Sequence, residues 1–591
     1  MSKKKIIILF ASIAFILAGM GFLISGQNQE DTKFQKSSDA YLDDLWKFYP
    51  TAATMAGYHK YDDRLENLSK KSLEKRREEL DKYNQEFVAK IDKFKLSPET
   101  QIDHELIVDA IDREMLDHDS LVPWEYNPLF YNEILINSVR SLVSNESISM
   151  NKRLTSAEKR LGEFPRFLKR AKENLKTPPQ LFTQVAVEQF SGIIKFYREE
   201  LPQYYDQAPE IKSKIQATAA KAISALEEYH SFLQNELLPR SDGNFRLGDM
   251  AHRRLVRLNF KNSIPLEELI ARAKADYKNI RREMFLVCIP FFKIMYPERN
   301  LEQLGTQYSE EQVWNSGIKG VLDKIEAEHV TREEFLDKIK TTVEELKAYF
   351  AENQMLEMPE VELPIEIMPA ADRGQTYVRL IPPGAYEAST AYALQIAPLP
   401  ESMAEDEVES YLEEYNNFML PFWTVRKVFP GEFVPRFFSR KSQSVVRILF
   451  PNMPLIKGWP VYLEEKIVES GFGNWNLFLR LNQLKFRLRA VVDFLNDFNI
   501  HEGSMTKEQA IDYMMRGGFQ TRAEAERKWV HIALNPCDAA YTYVGIQEIA
   551  DMEKEYRKLK GISFDDKEFR SALLSYGPIP IRLLKQLILQ Q

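Results

Sequence analysis

The chain has 591 residues, 44% hydrophobic and 12% aromatic, enough to bury a large core and to exclude disorder for the bulk. Lys and Arg total 79 against 87 Asp and Glu, and the net charge of −8 gives no global electrostatic reason to expect nucleic-acid binding. Two cysteines far apart in sequence, Cys288 and Cys537, exclude a disulfide scaffold.

At the N-terminus, Lys3, Lys4 and Lys5 precede an uncharged apolar run from Ile6 to Ile24 that is long enough to cross a bilayer. Residues 1–26 therefore read as a signal peptide or a signal anchor. Ile24-Ser25-Gly26 is a poor small-residue cleavage site, and no cysteine follows the run to take a lipid. Both outcomes place the body outside the cytoplasm, either membrane-anchored through residues 6–24 or secreted after cleavage. Residues 27–36 are polar and aperiodic, which suits a tether, and residues 37–591 read as a single mainly helical domain.

Along the body, Leu73, Leu80, Tyr83, Phe87, Ile91 and Phe94 recur at helical spacing. The run KKSLEKRREELDK (Lys70 to Lys82) reads as a solvated face with opposite charges three or four apart. Capping boxes fit Thr155–Glu158, Ser309–Gln312, Thr331–Glu334, Thr506–Gln509 and Thr521–Glu524, and Ser97-Pro98 adds a cap with proline in the first turn. His104 lies on an amphipathic stretch, Ile102 to Met115, where a core or surface role is expected. Cys288 sits in apolar MFLVCIP and Cys537 in a turn-like NPCD segment, and neither has a histidine at catalytic spacing. Between Val361 and Pro400, short proline-interrupted runs favour a small sheet. Helical texture returns at Glu405. The fold class is mainly α, with one small β patch at 361–400.

Several segments in order carry a resemblance: YLDDLWKFYPTAATMAGYHKYDDRL (Tyr41 to Leu65), NFRLG (Asn244 to Gly248), RKVFPGEF (Arg426 to Phe433), KGWPVY (Lys457 to Tyr462), HEGSMTKEQAIDYM (His501 to Met514), NPCDAAYTYVG (Asn535 to Gly545) and FDDKEFRSALLSYGPIP (Phe564 to Pro580). Together they resemble the bacterial domain of unknown function family 885, whose members look like helical zinc metallopeptidases related to the HExxH group. The resemblance implies a zincin-like helical body with its chemical centre at HExxPGHH and, about 30 residues on, at EGWxLY. Here those positions diverge. With Pro430 and Gly431 aligned, Arg426 and Lys427 stand at the His-Glu positions, Glu432 and Phe433 at the paired histidines, and Lys457 before Gly458-Trp459, while Tyr462 still fits.

Zinc needs lone pairs from imidazole, thiolate or carboxylate, which a protonated Lys or Arg does not offer. Of the expected set only Glu432 could coordinate, so the resemblance implies zinc for the family while this sequence implies no metal and no cofactor. None of the eight histidines stands four residues from another. His501 is the remaining candidate for a cleft-binding role. In place of a metal, Arg426, Lys427 and Lys457 could form ion pairs with Glu432, and a surplus of positive charge could attract a carboxylate or phosphate. The aromatics Phe422, Trp423, Phe429, Phe433, Phe437, Phe438, Trp459 and Tyr462 either line a peptide groove or pack helices.

The leading expectation is an exported, catalytically inactive relative of zinc metallopeptidases whose cleft takes a peptide or cell-envelope partner. An active hydrolase with rebuilt or metal-independent groups, and a structural envelope protein, stay open beside it. A site without zinc should place Lys457 close to Glu432.

Overall fold

A computed structural model describes residues 29–145, 147–299, 305, 307–369, 378–401 and 403–589. Residues 1–26, read above as an export segment, lie outside these. No helix of the described residues is long and apolar enough to cross a membrane. The expected single body from Ser37 onward divides into two compact units, one running through Thr177 and from Thr183 to Ser241, the other comprising Pro178–Phe182 and Asp242 onward. No compositional break marks the division, because the chain changes unit at short turns beside Pro178 and Ser241 rather than in a linker.

In the N-terminal unit, α1 (residues 29–48) starts inside the stretch read as a tether. Phe34 is 2% exposed and packs against Phe87 and His104, while Glu30 and Asp31 accept the amides of Asp92 and Ser97. Local polarity concealed this role, since one aromatic and two capping carboxylates do the docking. Helix α2 (Lys70–Gln85) buries Leu73 and Leu80, and its Lys75–Glu79 and Arg77–Asp81 pairs form as expected. Arg76 departs from the solvated-face reading: it is 0% exposed and donates twice to Glu114 on α3 (Pro98–Leu116), at 2.8 and 2.9 Å. Phe94 departs in the other direction, 90% exposed in a short 3-10 turn beyond the helix.

His104 is buried, with Nε2 at 2.8 Å from the Phe87 carbonyl, a core role. Helix α4 (Met150–Asn174) begins before the expected Thr155 cap, and the Thr155 hydroxyl instead donates to the Asn151 carbonyl. Further along come α5 (Gln180–Lys195) and α6 (Pro209–Phe232), the latter packed on α4.

The second unit opens with α7 (Gly248–Phe260) and α8 (Leu266–Met295). Its small sheet has the order β1-β3-β2: β1 (Ile365–Ile367) runs parallel to β3 (Ala393–Ile396), and β2 (Val378–Ile381) antiparallel to it. Then follow α9 (Leu420–Lys427), α10 (Phe433–Lys441), α11 (Met453–Glu469), α12 (Leu477–His501), α13 (Arg522–Leu534) and α14 (Tyr541–Lys560). Ser309 and Thr506 form complete capping boxes, Thr331 makes the same reciprocal bonds with Glu334, and Thr521 accepts the Glu524 amide. Helix α12 is the centre of the unit. Of its 25 residues 19 are buried, so partners surround it on every side, which is the condition for a helix without a solvated face.

Helices α11 and α14 cross with almost no side chain between them. A Cβ on Gly458 would lie 2.5 Å from the Gly545 carbonyl carbon, and one on Gly545 would lie 1.9 Å from the Pro454 oxygen. Both glycines are there because the backbones touch.

Candidate functional site

Helix α9 ends at Lys427, and a tight turn through Pro430 and Gly431 leads to α10, with Glu432 just before its first residue. Gly431 has φ +40°, and a Cβ there would press on the Arg426 and Val428 carbonyls, so the turn requires glycine. Helix α11 packs on α9. Lys457 and Glu464, seven residues apart on α11, share one face of it.

Two ion pairs of opposite sense bridge these elements. Arg426 donates twice to Glu464, through Nε and, at 2.8 Å, through its second guanidinium nitrogen. Its guanidinium also lies 3.4 Å from the Phe486 ring centroid. In the other direction, Lys457 Nζ donates to Glu432 Oε1, and Arg436 lies 3.4 Å from Glu432 Oε2. The Lys457–Glu432 proximity expected of a site without zinc is therefore present. Arg426, expected in the same cluster, is drawn off to Glu464, and Arg436 takes its place.

Lys427 has no ion-pair or hydrogen-bond partner among the described residues. Its side chain is exposed at the C-terminal end of α9. Desolvation by the surrounding protein, and then Lys457, pull its ammonium down to about 8. Burial opposes ionisation of Glu432, yet Lys457 and Arg436 hold its carboxyl down at about 2. Asp538, bonded to His531 Nε2 at 2.9 Å, also feels Lys457 and Lys427 and is held below its usual value, against burial. Glu432 and Asp538 thus both feel Lys427 and Lys457, Arg436 acts on Glu432, and Lys427 alone of these cations has no paired carboxylate. Glu464 behaves oppositely: burial pushes its carboxyl up to about 7 despite Arg426.

The aromatics mostly pack rather than line a groove. Phe422, Trp423, Phe429, Phe433 and Phe438 are buried, and Phe437 is half-buried. Trp459 and Tyr462 stack at 6.0 Å within the buried face of α11. Gly458 serves the helix crossing. The described recesses lie elsewhere, one beside Phe87–Asp109 and one beside Tyr277 and Tyr513.

His501 does not line a recess. It is 1% exposed, its Nε2 lies 2.9 Å from the Ile532 carbonyl, and its ring stacks on His252 at 5.3 Å. His252, on α7, lies between carboxylates, with Nε2 3.0 Å from Asp497 Oδ2 and Nδ1 2.9 Å from Glu502 Oε1. These carboxylates overcome the effect of burial and raise its pKa. Cys537 Sγ lies 3.7 Å from the same Nε2, so the histidine absent from its sequence neighbourhood is supplied from 285 residues away. Cys288 and Cys537 are both buried and form no disulfide.

Do the residues at 426–433 and 457–462 fit a zinc ion? Arg426, Lys427, Phe433 and Lys457 offer no lone pair, and the one carboxylate, Glu432, is engaged by two cations. They do not fit. Sequence reasoning missed Arg436 and Glu464, although each stands at a helical interval, four residues from Glu432 and seven from Lys457. Nothing local points to His252, Asp497 or Glu502.

A family model described as a bacterial protein of unknown function (DUF885) matches residues 50–588. Among solved structures, a candidate lipoprotein of unknown function from Shewanella oneidensis is similar at 26% identity and TM-score 0.79, covering 94% of this chain and 99% of that one. A candidate lipoprotein from Colwellia psychrerythraea shares the fold at 15% identity and TM-score 0.72, covering 96% and 99%. No curated protein sequence matches.

Proposed function

Because the chain belongs to the bacterial family of unknown function DUF885, we propose that it is an exported, catalytically inactive relative of zinc metallopeptidases whose exposed Lys427, beside the Lys457–Glu432 pair, binds a carboxylate of a peptide or cell-envelope partner. The observation that carries this reading is the Lys457 ammonium seated on Glu432, where the resemblance puts a metal. An ammonium satisfies the carboxylate electrostatically but has no coordination position with which to activate water. Lys427 remains over, and its unpaired positive charge suits a monoanion such as a peptide C-terminus.

Export is supported by the similar Shewanella oneidensis structure, described as a candidate lipoprotein. The cysteines of this chain stand at 288 and 537 and are buried. Residues 1–26 would direct it to that compartment.

The test uses fluorescent peptide libraries with free and amidated C-termini, read by anisotropy, with mass spectrometry for cleavage in added zinc. Free carboxylates should bind uncleaved. Amidation or Lys427→Gln should weaken binding about 10- to 100-fold, the worth of one charge-assisted hydrogen bond of about 1.5–3 kcal/mol. Chelator-sensitive cleavage, or equal binding of amidated peptides, overturns the reading.

A further inference from the structure

We propose that His252, Asp497 and Cys537 form a binding site for a divalent cation of the zinc class, one that staples α7, α12 and the turn before α14. The site uses no residue of the Glu432 cluster and stands independently of the function proposed above. Its donor atoms, one each of nitrogen, oxygen and sulfur, all lie within 4.8 Å of one another, and all three residues are buried. In a tetrahedral zinc site, bonds of about 2.0–2.3 Å set neighbouring donors about 3.3–3.6 Å apart. Here Nε2 lies 3.0 Å from Asp497 Oδ2 and 3.7 Å from Cys537 Sγ, two separations close to that spacing.

The surroundings match what metal ligands need. A coordinating histidine ordinarily gives its second N–H to a carboxylate, which fixes the ring and raises its basicity. His252 Nδ1 meets Glu502 Oε1 at 2.9 Å, and Arg253 steadies that carboxylate from 3.1 Å. The second oxygen of Asp497 accepts the Cys537 amide at 2.9 Å. Cys537 itself has φ +74°, a left-handed conformation rare outside glycine, and its Sγ lies beside His252 Nε2. A donor set of imidazole, carboxylate and thiolate selects a borderline-soft ion such as zinc over magnesium or calcium. Binding displaces the proton on Nε2 and the thiol proton, so two protons leave as one dication enters, and the fourth position falls to a water or another small donor. The role that follows is structural, since the ion would join three segments that meet only in the folded unit.

Cobalt(II) tests this directly, because a bound thiolate produces a near-ultraviolet charge-transfer band. The chelator-treated full chain, titrated with cobalt, should develop that band with a break at one equivalent. Cys288→Ala should keep it and Cys537→Ala should lose it. Zinc should raise the denaturant midpoint of the wild type and of Cys288→Ala, but not that of Cys537→Ala. Absence of the band in the wild-type protein at stoichiometric cobalt overturns the proposal whatever the variants do, as does a band that survives Cys537→Ala.

Discussion

Replacing Gly545 by alanine tests the backbone contact of α11 and α14 most severely. The added methyl would sit 1.9 Å from the Pro454 oxygen, whereas ordinary contact begins near 3.4 Å. The helices must therefore part by about 1.5 Å, and the obstacle is backbone, which cannot rotate aside as a side chain can. Overpacking typically costs about 1–3 kcal/mol, and a rigid obstacle belongs at or above the upper end. Alanine returns about 1 kcal/mol of helix propensity, leaving a net loss of about 2 kcal/mol or more. Gly458→Ala meets Gly545 at 2.5 Å and should behave alike. The double variant should cost less than the sum, because the first methyl has already parted the helices. Gly192→Ala on α5, with nothing within 4 Å, is the control and should stabilise by about 0.4–1 kcal/mol. Urea denaturation followed by tryptophan fluorescence suits the measurement, since buried Trp459 adjoins Gly458. A neutral or stabilising Gly545→Ala would refute the backbone contact.

Phe34→Ala should destabilise the N-terminal unit by about 3–5 kcal/mol in denaturant titration, whereas a tether would register no change. Arg426→Ala should cost about 3–5 kcal/mol by stranding the buried Glu464 carboxylate, and Arg426→Met combined with Glu464→Gln should recover most of that. The two carboxyls near the site should respond oppositely to pH. Glu432, held down at about 2, contributes stability that is present above its ordinary 4.5 and lost as pH falls toward 2. Glu464, raised to about 7, contributes stability that is full below 4.5 and lost as pH rises through 7. Midpoint-versus-pH curves of Glu432→Gln and Glu464→Gln should each flatten in the corresponding window. Peptide binding should hold steady below pH 8 and weaken above it as the Lys427 ammonium loses its proton, a trend that anisotropy in Lys427→Arg should remove.

The helical class and the small sheet could be read from local pattern, because apolar spacing, caps and prolines act over a few residues. Ser309, Thr331 and Thr506 cap as their neighbours dictate. Thr155 does not, because a cap signal inside an amphipathic run yields to burial of Leu154, Ala157 and Leu161 on both sides of it. Phe34 and Arg76 were hidden by their polar surroundings: one apolar ring in a polar segment, and one charge in a charged run, are buried only by partners far along the chain. At the site, Lys457 against Glu432 was implied by the family resemblance alone. The choice of Glu464 by Arg426 needed the relative turn of α9 and α11, and the meeting of His252 with Cys537 needed the whole second unit.

The position of α12 has a bearing on how the chain is made. Every residue of the N-terminal unit lies at or before Ser241, so it can close while the remaining 350 of 591 residues are still being synthesised. At about 5–20 residues per second that interval lasts about 18–70 s. Late within it, α12 emerges before α13 and α14, buried in the finished protein yet bare on the growing chain. A nascent chain of this kind carries a folded head and, until α13 and α14 arrive, an uncovered helix at its tail.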